Sequence, residues 1–290
     1  MKSESFTTFD GTKIAYKEEG SGPPIILANG LGGSFPAWKH IVDAFKDRFT
    51  LISWDYRGLF NSETPSDLSS VTVENQVKDL FELLKLKNIQ RAIFMGWSYG
   101  GQVLLEAYKQ KPSIFQGLVL LNATVSDVIS GLPLPNIINP VFIQMLKLWS
   151  PLWKLLATPS SMLISSGVPI NVAKKTGLIG NTLDEDTFKE IALGFINLNH
   201  EVFEITLKSS QNYDGRDILS TIKIPVLVIA GTRDFIVLPS VSRKTAKLIP
   251  NSDLVFVNGT SHYTAIEQPK VVIEAIQKYF DKLKNDIISK

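Results

Sequence analysis

The sequence predicts an α/β protein: a mostly parallel sheet with helices on both faces and an inserted helical segment. Three observations carry this reading. Short apolar runs alternate with stretches of helical periodicity along most of the chain. The alternation stops near Asn122 and resumes near Ile224, leaving roughly a hundred residues of mainly helical pattern between. Finally, Gly96-Trp97-Ser98-Tyr99-Gly100-Gly101 lies where a strand-like run hands over to a helical one.

The elements follow in order. Phe6 to Tyr16 alternates loosely around Asp10-Gly11, as a hairpin does. Pro24 to Ala28 is continuously apolar, the signature of a strand buried on both faces. A helical pattern over Ala37–Phe45 precedes a second such strand, Thr50–Trp54, which ends in Asp55-Tyr56-Arg57-Gly58. Val73, Val77, Leu80, Phe81 and Leu84 repeat at helical spacing within Thr72–Leu86. Arg91–Met95 is the strand before Ser98, a helix follows from Gln102, and Gly117–Leu121 is the next strand. Beyond the insertion come a strand at Ile224–Ala230, a helix near Val241–Leu248, a strand at Leu254–Val257 and a helix from Pro269 to Leu283. Residues 1–122 and 222–290 are therefore expected to form the core, with 123–221 as a helical cap over the carboxyl ends of the strands, where such sheets bind ligands.

Composition narrows the function. At 290 residues the chain suits one large α/β domain with an insertion, and a net charge of +2 does not suggest a polyanionic partner. Basic residues are not clustered with aromatics, so nucleic acid is not an expected ligand. The absence of cysteine removes disulfides, thiolate metal sites and a cysteine nucleophile. With three histidines, His40, His200 and His262, a histidine-rich zinc site is not expected, and neither a metal nor an organic cofactor is implied. The first ten residues lack the apolar core of a secretory signal, which makes the cytoplasm the expected location.

Gly-x-Ser-x-Gly gains meaning from its context. A serine on a sharp strand-to-helix turn has its hydroxyl forced outward, and the small residues around it let the backbone crowd without clashes. Ser98 is the expected nucleophile. A serine hydroxyl needs a base, and His262, in the loop after the last strand, opens onto the same sheet edge. The base needs an orienting acid, and Asp234 stands where the preceding buried strand runs out into a loop. Asn122 occupies the other strand end at which such an acid could sit. Tyr99, opening the helix after the nucleophile, offers one backbone amide to an oxyanion, and Leu31 in the glycine-rich loop Asn29–Ser34 offers the second. That loop lacks the lysine of a P-loop and the spacing of a dinucleotide fingerprint.

Together these residues resemble the α/β-hydrolase superfamily, over most of 6–122 and 222–285, and the order Ser98, Asp234, His262 is the order its triads follow. The elbow is similar to that of small capped serine carboxylesterases, including the pimeloyl-ester esterase group and haloperoxidase-like hydrolases. Asp55-Tyr56-Arg57-Gly58 matches the family's D-x-R-G loop. The sequence departs from the family in having Asn29-Gly30 where His-Gly is usual, and Phe60 where D-x-R-G-x-G-x-S has its second glycine. Relatives that are haloalkane dehalogenases or epoxide hydrolases carry Asp at the elbow, so Ser98 leaves acyl transfer to water. The resemblance implies hydrolysis of a small-molecule carboxylic ester with a moderately apolar acyl part. A carbon–carbon hydrolase, a lactonase and a cofactor-free perhydrolase would share the triad, and a non-catalytic ligand receptor would share the fold.

The insertion bears on substrate. Val141 to Leu156 is the most apolar stretch, with Gln144, Lys147, Ser150 and Lys154 on a narrow stripe. Pro151 breaks it and its charges argue against stable insertion in a membrane. One face packs on the core, and the other packs within the cap, lines an acyl pocket, touches lipid or meets a second copy of the chain as a homodimer. Met145 and Met162 suit each alternative. Phe60, Trp97, Trp149 and His200 are the candidate pocket residues.

Overall fold

The structure, a computed structural model, describes residues 3–127, 166–175 and 179–288. Among the described residues eight strands form one sheet: β1 (Glu4–Thr7), β2 (Lys13–Gly20), β3 (Pro24–Ala28), β4 (Thr50–Trp54), β5 (Ala92–Trp97), β6 (Phe115–Leu121), β7 (Val226–Gly231) and β8 (Ser252–Val257). Their order across the sheet is β1-β2-β4-β3-β5-β6-β7-β8. Only β2 against β1 and β4 is antiparallel, so the predicted hairpin sits at the edge and all other pairs are parallel. Gly11, at φ 87°, makes the hairpin turn.

The apolar strands are apolar throughout because both faces are covered. Ile26 and Ala28 of β3 and Leu118 and Leu120 of β6 face one layer, and Ile25, Leu27, Val119 and Leu121 face the other. The first layer includes α2 (Val73–Leu86) and α3 (Gly100–Gln110), through Val77, Leu80, Val103 and Leu104. The second includes α1 (Lys39–Phe45) and the C-terminal helix Pro269–Ile288, through Ile41, Phe45, Val272 and Ile276. Thr72 lies just outside α2 and caps it, accepting from the Asn75 amide at 3.3 Å, a contact worth about 1 kcal/mol. The helix predicted over Ala37–Phe45 is divided, with a 3-10 turn at Phe35–Trp38 before α1.

Between β6 and β7 the described residues include α4 (Val168–Lys175), α5 (Glu185–Ile196), α6 (His200–Asn212) and a 3-10 helix at Arg216–Thr221. Beyond β7 follow α7 (Pro239–Leu248), the short α8 (Thr264–Glu267) and α9 (Pro269–Ile288). The apolar stretch 141–156, with Met145 and Trp149, and Met162 lie outside the described residues. Among the described residues no helix is long and apolar enough to cross a membrane.

The D-x-R-G loop is fixed by charge. Arg57, fully buried, donates Nε and Nη2 to the two oxygens of Asp79 on α2 at 2.8 and 2.6 Å, and Nη1 to Asp10 at 2.8 Å. Thr8 completes Asp79 with a hydrogen bond of 2.7 Å. Desolvating these groups is costly, and the bidentate geometry offsets that cost only while every partner is present. Arg57→Leu leaves Asp79 buried without its cation and is expected to destabilise the fold by about 3–5 kcal/mol in urea unfolding. Asp79→Leu in the same background should recover much of that loss.

Candidate active site

Ser98 sits between β5 and α3 with φ 53°, a left-handed backbone that costs a residue with a Cβ about 1–2 kcal/mol. The surroundings enforce it. Its amide donates to the Leu121 carbonyl at 3.1 Å, and its carbonyl accepts from the amides of Gly101 and Thr124 at 2.9 and 3.0 Å. The glycines permit the close approach: a Cβ on Gly100 would lie 2.1 Å from the Ala28 carbonyl oxygen, and one on Gly96 would lie 2.8 Å from that of Gly100. The sharp turn expected at Ser98 is present, and the residue is half-buried at the carboxyl end of the sheet.

Asp234 and His262 meet across the neighbouring loops. His262 Nδ1 lies 2.9 Å from Asp234 Oδ2, and both side chains are buried. A carboxylate accepts only, so Nδ1 carries the proton and Nε2 remains the acceptor. Asp234 Oδ1 takes the amides of Ile236 and Val237 at 2.8 and 2.9 Å, and Oδ2 also accepts from Asn122 Nδ2 at 2.8 Å. Four donors thus surround one carboxylate.

The loop carrying His262 is held from below. Glu267, buried on α8, accepts from the Ser261 amide at 2.7 Å, from the Ser261 hydroxyl, and from the Gly180 amide at 2.8 Å. It thereby ties the histidine loop to the segment between β6 and β7. No motif in the sequence marks Glu267.

The glycine-rich loop after β3 is anchored by Asn29 where the related pattern has histidine. Asn29 Nδ2 donates to the Trp54 carbonyl at 2.8 Å, and its Oδ1 accepts from Trp38 Nε1 and the Ser53 hydroxyl at 2.8 and 3.1 Å. The Tyr56 hydroxyl donates to the Asn29 carbonyl at 2.7 Å, and the Tyr56 ring meets that of Tyr99 edge-on at 5.1 Å. Burial pushes both phenols far up, so they stay neutral. Among the described residues, the backbone amides of Leu31 and Tyr99 donate to no carbonyl in the turns and loops.

Trp97, a candidate pocket residue, is a wedge. A Cβ on Gly33 or Gly30 would lie 2.3 or 2.8 Å from its indole ring, and its Nε1 donates to the His262 carbonyl at 3.2 Å. Its ring lies 5.8 Å from the His262 ring and borders a small apolar cavity with Leu121, Ile191 and Tyr263. Phe60 holds the left-handed conformation, φ 52°, at the position where the related pattern has glycine, and its ring rests against Gly194 on α5. His200 begins α6, with Nε2 3.3 Å from the Ile196 carbonyl, and burial lowers its pKa. Trp149, the fourth candidate, lies outside the described residues. His40 approaches Asp184 to 2.9 Å without hydrogen-bond geometry, which places it at the contact between α1 and the inserted segment.

An eight-stranded, mostly parallel sheet with a strand–serine–helix turn at its carboxyl edge defines the class, and comparison with known proteins defines the family. The profile of the alpha/beta hydrolase fold matches residues 23–269, and the chain belongs to that family. A protein of Pseudomonas savastanoi pv. phaseolicola, provisionally named the carbamate hydrolase RutD, is 27% identical over 252 residues, covering 85% of this chain and 89% of its own. Among solved structures, a bromoperoxidase from Bacillus anthracis superimposes with a TM-score of 0.78 at 18% identity, covering 97% of this chain and 100% of that one. A thermophilic esterase from Thermogutta terrifontis gives 0.71 at 21% identity, covering 98% and 99%.

Proposed function

We propose that the protein is a serine hydrolase cleaving a small carboxylic ester with a moderately apolar acyl group. The observation that carries this is the buried Asp234–His262 pair at the sheet edge where Ser98 is held in a left-handed turn. Ser98 Oγ attacks the ester carbonyl as His262 Nε2 takes its proton. The carbonyl oxygen becomes an oxyanion, received by the amides of Leu31 and Tyr99, each worth about 3–4 kcal/mol if it behaves as an oxyanion donor elsewhere does. The imidazolium, stabilised by Asp234, returns the proton to the leaving alcohol, and an acyl group remains on Ser98. Water then attacks that acyl carbon, His262 takes its proton, and the acid departs as Ser98 regains its hydrogen.

In this reading residues 1–122 and 222–290 form the catalytic core, and 123–221 form a cap that shapes the substrate site. Phe60, Trp97, Trp149 and His200 are its proposed pocket residues, with Trp97 acting through the loops it wedges apart. The names of the relatives support a hydrolytic reading without fixing the ester.

A p-nitrophenyl ester series from acetate to palmitate tests the proposal. Turnover that peaks at one chain length is expected and would size the acyl pocket. No turnover on any member of the series would overturn the ester reading.

A further inference from the structure

Asn122 follows β6 and is fully buried, with its backbone at φ 44° and its amide bonded to the Ile229 carbonyl at 2.8 Å. Nδ2 donates to Asp234 Oδ2 at 2.8 Å, the same oxygen that receives His262 Nδ1 at 2.9 Å, and reaches the Ser261 carbonyl at 3.4 Å. Oδ1 accepts nothing among the described residues, so the donor end is the one the site uses. The direction is dictated by chemistry, since a carbonyl turned toward the carboxylate would set two acceptors against each other.

We propose that Asn122 is a positioning residue that shares Asp234 Oδ2 with His262 and so sets both the orientation and the basicity of the imidazole. This rests on the reading of Asp234 and His262 given above. A donor on Oδ2 draws electron density from the oxygen that stabilises the imidazolium. Asn122 therefore fixes the carboxylate and shares the oxygen against which the imidazolium rests. The contact to Ser261 ties the same side chain to the loop on which His262 rides. Among the described residues, Tyr263 and Glu267 are the other titratable groups that face the pair. Burial first, then Asp234 and Glu267, keep the Tyr263 hydroxyl protonated, so it adds no charge. Glu267 is engaged by Ser261 and Gly180.

Two variants test this. Asn122→Leu keeps the shape and removes the donor, although leucine is strained at this backbone angle. Asn122→Asp tolerates the angle and sets a second carboxyl beside Asp234. Losing the donor leaves Oδ2 more basic, and a second carboxylate adds negative charge, so each change favours the imidazolium. The acid limb of kcat/KM is expected to move to higher pH by about 0.5–1 unit in both. In Asn122→Leu kcat should fall about tenfold or more with KM changed less than about twofold. Ser98→Ala is assayed alongside. Wild-type kcat and acid limbs in both variants, beside an inactive Ser98→Ala, would overturn this role and leave the hydrolase reading standing. Turnover by Ser98→Ala near the wild-type rate would overturn that reading itself. Should Asn122→Leu fail to fold, the acid limb of Asn122→Asp decides the matter.

Discussion

Ser98→Ala is expected to lower kcat by about 10⁴- to 10⁶-fold on any ester the protein hydrolyses, with KM nearly unchanged. The size follows from what the hydroxyl does. Without Oγ there is no acyl intermediate, and only the oxyanion amides and substrate binding remain to accelerate attack by water. The backbone at this position is held by Leu121, Gly101 and Thr124 through main-chain bonds, which alanine keeps. Stability should therefore stay within about 1 kcal/mol of wild type, since the strained backbone is common to both residues. A large loss of activity in a folded variant separates nucleophilic chemistry from general disruption.

Asp234→Asn is expected to cost about 10⁴-fold in kcat. Asparagine's oxygen can still accept from the amides of Ile236 and Val237 as Oδ1 does now. Its NH2 group then occupies the place of Oδ2, where His262 Nδ1–H and Asn122 Nδ2–H both point. Two donors facing a third drive His262 to the tautomer with the proton on Nε2, and that tautomer cannot take a proton from Ser98. Raising the pH does not restore the base, because the neutral ring is already in the wrong form. A pH-independent loss in Asp234→Asn, against a pH-dependent one in the Asn122 variants, distinguishes orienting the base from tuning it.

Much of this architecture was legible in the chain. Continuous apolar runs such as Pro24–Ala28 mark strands covered on both faces, and β3 and β4 keep the predicted limits. β6 begins two residues earlier than predicted, because Phe115 pairs with Ala92 of β5 ahead of the apolar run, with the register shifting across Gln116. The elbow was legible for a different reason: glycines at 96, 100 and 101 have a steric meaning that does not depend on distant sequence. The Asp234–His262 contact could be anticipated from the two loops that follow β7 and β8, since parallel neighbours deliver their ends to one edge.

The supporting residues were harder to read. In the sequence Asn122 reads only as the occupant of a strand end, because its donor role depends on a carboxylate more than a hundred positions away. Glu267 carries no motif, and its partners Ser261 and Gly180 come together only in the folded chain. The exchange of histidine for Asn29 is explained by Trp38, Ser53 and Trp54, whose convergence on one side chain no local pattern announces. Phe60 reads in sequence as a bulky intrusion. Its left-handed backbone explains the glycine of the related pattern, and its ring is taken up by Gly194.

The most direct test of the central claim is covalent trapping. The protein is treated with a small fluorophosphonate at near-neutral pH, and its intact mass and peptides are measured. The account predicts one adduct per chain on the Ser98 peptide, loss of ester turnover in step with labelling, and labelling slowed by at least about 10³-fold in Asp234→Asn. Turnover persisting in fully labelled protein, or an adduct that maps to a residue other than Ser98, would contradict it.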